Sequence, residues 1–162
     1  MSEVSTFLKA NERYASSFEK GHLPMPPARR VAVVACMDAR LDPARVLGLE
    51  EGDAHVVRNA GGRAADALRS LVISQQLLGT REVVVIHHTD CGMLTFTDDQ
   101  LRKKVRDDLG AETDIAFLPF SDLDRSVRED VAEIRESRVL LKDVPVTGFV
   151  YDVKTGRLKQ VA

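Results

Sequence analysis

Residues 30–40 read RVAVVACMDAR, and residues 82–92 read EVVVIHHTDCG. Each begins with a continuous run of β-branched and small apolar residues, the pattern of a strand buried on both faces of a parallel sheet. Residues 53–58 (DAHVVR) read the same way. Between that run and the one at 82–88, residues 63–78 put Leu68, Leu71, Val72 and Leu78 on one broad apolar helical face, and Gly79 ends it. Strand, helix and strand at this spacing predict a right-handed βαβ unit.

Working outward, residues 5–20 space Phe7, Asn11, Tyr14 and Phe18 as a helix does, with Ser5 as N-cap and Gly21 as the stop. Pro24, Pro26 and Pro27 then fix an extended strap leading to the first strand. After the strand at 82–88, Thr97-Asp98-Asp99-Gln100 fits a capping box, and Ser121-Asp122-Leu123-Asp124 is a second helix start. Residues 148–153, a tight turn at 154–157 and residues 158–161 read as a strand and an antiparallel return. The fold class is therefore α/β: a central, mostly parallel β-sheet with an antiparallel edge strand, flanked by helices, plus an N-terminal helical arm. Residues 1–162 read as a single domain, with 1–28 as helix and proline strap.

Composition excludes several functions. Twenty-three Lys and Arg against 25 Asp and Glu leave a net charge of −2, so no broad positive field invites nucleic acid or an anionic membrane. No apolar run approaches the ~18–20 residues that span a bilayer, and the N-terminus lacks a signal-peptide core. The expected compartment is the cytoplasm. With 2 cysteines there is no disulfide scaffold, and reduced thiols are expected.

Those cysteines carry the chemistry. Ligands of open parallel sheets gather at the carboxyl ends of the strands, and Cys36 closes the first strand while Cys91 follows the one ending at His88. Cys, His and Cys with a fourth position left over suit a tetrahedral zinc ion better than a hard cation. Small cysteines at strand ends also occur as plain core residues. The stretch Cys36-Met37-Asp38-Ala39-Arg40 adds an acid and a guanidinium two residues apart. Asp38 can ligate the metal, or pair with Arg40 and leave the fourth position to water. Because neighbours on a strand face opposite ways, only one of His87 and His88 can be a ligand, and the spacing to Cys91 favours His88.

Together, Cys36-x-Asp38-x-Arg40 and His88-x-x-Cys91-Gly92 resemble the motifs of the β-class carbonic anhydrases, in type, order and separation. Arg58-Asn59-Ala60-Gly61 resembles the stretch that family carries between them, and the short chain with its proline strap is similar to the small actinobacterial branch. The resemblance implies that Cys36, His88 and Cys91 ligate Zn²⁺, and that Asp38 is a fourth ligand in a closed state or Arg40's partner in an open one. It implies reversible hydration of carbon dioxide to bicarbonate and a proton by zinc-bound hydroxide, with Asp38 orienting the nucleophile and an alkaline optimum. It also implies a homodimer or larger homo-oligomer, with the N-terminal helix reaching across the partner.

The chain departs from the wider family in three respects. Where plant-like members place a substrate-binding Gln, this chain has Pro27, and it has no Trp with which to build a non-catalytic bicarbonate site, although Arg58 matches part of one. Third, aromatic residues are just 5% of the chain, which leaves the pocket walls unassigned: Met37, Leu41, Met93 and Phe96 flank the motifs but read as core residues. No shuttle for the product proton is assigned, His87 and His55 being the weak candidates. Two other readings use the same ligands: a carbonyl sulfide or carbon disulfide hydrolase, and a catalytically silent zinc-bound regulatory or binding module.

Overall fold

The computed structural model describes residues 2–162. A helix, α1 (Val4–Ser16), precedes strand β1 (Val31–Cys36), a short helix α2 (Pro43–Leu47), strand β2 (Ala54–Asn59) and helix α3 (Ala64–Gln76). Strand β3 (Glu82–His88), helices α4 (Asp98–Leu109) and α5 (Leu123–Glu136), and strands β4 (Val146–Tyr151) and β5 (Leu158–Gln160) complete the chain. The sheet order is β2-β1-β3-β4-β5. The first four strands run parallel and β5 is antiparallel to β4, as the sequence predicts. The βαβ unit read from residues 53–88 is split by β1, which pairs with both β2 and β3.

The position of each strand in that order decides its burial. Central β1 is buried along nearly its whole length, but β2 is half exposed and Val56 keeps 40% of its surface. The expectation that β2 resembles β1 fails because β2 is an edge strand, with a neighbour on one side only. The N-terminal helix also differs from its reading. It starts at Val4 with Glu3 at the N-cap, Ser5 lies inside it, and it ends at Ser16, before Gly21. The expected capping box is present, with Thr97 Oγ1 accepting from Gln100 N and Gln100 Oε1 accepting from Thr97 N.

Alternation along the strands builds two cores. Ala32 and Val34 of β1 and Val83 and Val85 of β3 pack under Ala67 and Leu71 of α3 and Val127, Val131 and Ile134 of α5. Gly148 in β4 allows that close approach, since a Cβ there would lie 2.4 Å from Val127 Cγ1. On the opposite face Val33, Ala35 and Ile86 pack with Leu41, Met93 and Tyr151, and both cysteines sit in this second core. Helix α1 buries none of its side chains.

Candidate metal centre

Strands β1 and β3 lie side by side, Ala35 opposite Ile86, so the segments leaving their carboxyl ends meet. Cys36 is the last residue of β1, and His88 is the last of β3. Asp90 adopts a left-handed backbone, φ 55°, that turns the chain after β3 and returns Cys91 toward the sheet. Among the described residues, Cys36, His88 and Cys91 bring one candidate ligand atom each to within 4.8 Å of one another, all three being buried.

The loops around this cluster are tightly tied. Arg58 donates to the main-chain carbonyls of Cys36, Asp38 and Leu41 at 2.7–3.1 Å, gathering the segment that follows β1. Asn59 donates to Arg63 O at 3.0 Å and accepts from Arg63 N at 2.8 Å, bracketing the turn Ala60–Gly62. Gly62 has φ +69°, and a Cβ on it would lie 2.9 Å from Cys36 N and 3.0 Å from Ile86 O. Only glycine lets the turn lie so close across the ends of β1 and β3. The matched stretch around Arg58 thus serves as scaffolding for the cluster.

His88 is prepared as a donor of electrons. Its Nδ1–H donates to Thr89 O at 2.8 Å, which leaves the Nε2 lone pair toward the cluster. That buried nitrogen has no hydrogen-bond partner. The pairing with Cys91 outweighs burial and holds the Cys36 thiol down, to about 4, whereas Cys91 is pushed up because its proton is shared with Cys36 and because it is buried. Two sulfurs ready to share a negative charge and an orphaned imidazole nitrogen fit a borderline-soft divalent ion such as zinc.

Asp38 stands at the rim. Arg40 donates to it bidentately, Nε to Oδ1 at 2.9 Å and Nη2 to Oδ2 at 2.8 Å, and the Arg40 main-chain N–H adds a third bond at 2.9 Å. These bonds hold its carboxyl well below the usual carboxylate range. Oδ2 is nevertheless 3.7 Å from His88 Nε2. Of the two alternatives for Asp38, the structure shows the pairing with Arg40.

A cavity of about 420 Å³ opens on the cluster, walled by Met37, Gly61, Met93 and Phe96 with Asp38 at its side. Met37, Met93 and Phe96 are therefore pocket residues, while Leu41 is core as expected. Neither weak shuttle candidate reaches this cavity. His87 is fully buried on the other face, beside Ser126 and Asp130, and His55 bonds Ser74 on α3. Asp90, which the sequence reading passed over, accepts from Arg40 through Oδ2 at 2.7 Å and through its carbonyl at 2.9 Å.

Comparison with known proteins follows this geometry. Residues 31–158 match the family described as carbonic anhydrase. The chain is 48% identical to β-carbonic anhydrase 1 of Mycobacterium tuberculosis over 162 residues, 99% of each protein. It is similar to the solved carbonic anhydrase from Glaciozyma antarctica, with a TM-score of 0.95, 54% identity and full coverage of both chains. The carbon disulfide hydrolase of Acidianus sp. is 35% identical over 97% of this chain and 88% of its own length.

Proposed function

This chain belongs to the β-class carbonic anhydrase family and is a carbonic anhydrase, which interconverts carbon dioxide and bicarbonate; we propose that it does so on a zinc ion held by Cys36, His88 and Cys91. The single observation carrying the zinc assignment is the buried Cys36, His88 and Cys91 cluster with an unpartnered His88 Nε2. When bound, such an ion supplies Lewis acidity that brings the ionisation of a water molecule from ~15.7 toward neutrality, less so with two thiolate donors than with three imidazoles.

The chain's own residues do the rest. Asp38, fixed by Arg40, presents an anionic acceptor beside the cluster and so orients an incoming water by accepting one of its hydrogens. Arg40 keeps that carboxylate from becoming a fourth ligand. The apolar walls at Met37, Met93 and Phe96 suit carbon dioxide, which has no net dipole to satisfy, and keep competing water out. Asp38 and Arg40 are the catalytic pair in this reading, with Asp38 also the alternative fourth ligand.

The coarser surroundings are consistent with it. No helix among the described residues is long and apolar enough to cross a membrane. Free thiols serving as ligands suit the reducing cytoplasm. The residues 1–162 act as one domain, and the apolar side chains of Val4, Phe7, Leu8 and Tyr14, exposed on an otherwise uncovered helix, support a homodimer in which α1 covers a second copy.

Stopped-flow hydration of carbon dioxide by the zinc-loaded protein, scanned from about pH 6.5 to 9, tests the mechanism. The rate should rise with pH as water ionises. No rate above buffer with zinc bound would favour the carbon disulfide or carbonyl sulfide hydrolase, or the silent module.

A further inference from the structure

Arg40 is shared between two loops that leave different strands. Its Nε and one Nη2 hydrogen go to the Asp38 carboxylate, after β1. Its other Nη2 hydrogen goes to Asp90 O, and Nη1 donates to Asp90 Oδ2, both after β3. Four of the five donors of the guanidinium are thus committed across the mouth of the site. From this geometry we propose that Asp90 is the positioning residue of the gate: it anchors Arg40, and Arg40 so anchored keeps Asp38 off the Cys36, His88 and Cys91 cluster. The proposal rests on the reading of that cluster as a metal site.

An arginine pairing with a carboxylate two residues away has four torsions to immobilise, and the Arg40 side chain is 46% exposed, so water competes for its fork. Asp38 Oδ2 lies only 3.7 Å from His88 Nε2, so a small rotation would deliver it to the cluster. Something else must hold the fork in place. Asp90 does so with a carboxylate and a carbonyl at once, and its left-handed backbone is what turns both toward Arg40. Asp and Asn tolerate that backbone better than other non-glycine residues. The Asp90 side chain is 72% exposed and takes no other part in the site.

The test compares the zinc-loaded wild type with Asp90→Gly, which removes the side chain without straining φ, and with Asp90→Asn as a milder change that keeps the backbone preference. The readouts are zinc transfer to the chelating dye pyridylazoresorcinol and kcat/KM for carbon dioxide. Asp90→Gly should keep one zinc per chain, surrender it about tenfold more slowly as Asp38 joins the ligands, and lose about tenfold in kcat/KM, the lower end of what outer groups at metal sites are worth. Asp90→Asn should fall between. In an Asp38→Asn background neither change should move zinc transfer, because the carboxylate that closes the site is gone. Zinc transfer at the wild-type rate in Asp90→Gly, or equal slowing in the Asp38→Asn background, overturns the proposal. Absence of carbon dioxide turnover in the wild type would instead defeat the proposed function, and the zinc-transfer comparison would still decide the role of Asp90.

Discussion

His87 and His88 are neighbours on β3, both fully buried, and the two faces of the sheet put them to opposite uses. On the α5 face, His87 Nδ1 shares a hydrogen bond of 2.8 Å with Ser126 Oγ, and Nε2 sits 2.8 Å from Asp130 Oδ2. Arg63 Nη2 adds its charge 3.3 Å from Asp130 Oδ1, and Phe120 stacks on the imidazole at 5.2 Å. On the other face His88 has one nitrogen fixed by Thr89 O and the other facing two sulfurs with no hydrogen-bond partner. A histidine whose two nitrogens face protein groups is structural. One whose second nitrogen is buried, unpartnered and beside thiols is free to take a ligand. Unpartnered polar atoms also occur on the α5 face, at Arg63 and Asp130, but there opposite charges face each other, whereas His88 faces two thiols, which is what the proposed metal site rests on.

The strongest way to break this comparison is to truncate each histidine's face in turn. His88→Ala or Cys36→Ser removes one of three protein ligands, so zinc should fall from one per chain to near zero and hydration to the buffer rate, as read by metal analysis and stopped flow. Retained stoichiometric zinc in either variant would refute the ligand set. The opposite face should behave differently. Asp130→Asn leaves the Arg63 charge buried without a counter-charge, and should cost about 3–5 kcal/mol in urea unfolding. The surviving folded protein should still hold one zinc. Should zinc be lost there as well, the two faces are coupled and the distinction fails.

How much of this was legible in the sequence follows from what is local. Strand β3 is legible to the residue, and the convergence of Cys36, His88 and Cys91 is legible from strand ends and spacing, because those signals lie within a few positions of one another. The Thr97 capping box is equally local. Helix α2 was missed although Asp42 caps it, Pro43 occupies its first turn and Gly48 ends it, because five residues carry no periodicity. The exposure of β2 depends on its place in the sheet, which no window of sequence contains. The network on the α5 face joins Arg63, His87, Ser126 and Asp130, and Arg40 reaches Asp90 fifty residues away, so both needed the fold. The outward Asp90 lies between two motif residues and carries no signal of its own beyond tolerance of a left-handed turn.

The gentlest change that sharpens the comparison is Ser126→Ala. The Ser126 hydroxyl lies 2.8 Å from Leu123 O, one turn back along α5, and 2.8 Å from His87 Nδ1, so it is the hydrogen-bond partner of that ring nitrogen. Removing the hydroxyl leaves a nitrogen of a fully buried ring without a hydrogen-bond partner, and the cost of such an orphan is about 1–3 kcal/mol. The loss should appear as a lower urea midpoint with an unchanged slope, since no surface is newly exposed in the native state. Zinc content and kcat/KM should stay at wild-type values, because His88 takes its orientation from Thr89 O on the other side of the strand and Asp38 from Arg40. A drop in kcat/KM without a loss of zinc would mean that the ring of His87 steers the cavity through Gly62, whose carbonyl lies 3.3 Å from its Nε2, and the boundary between the faces would then pass through that glycine.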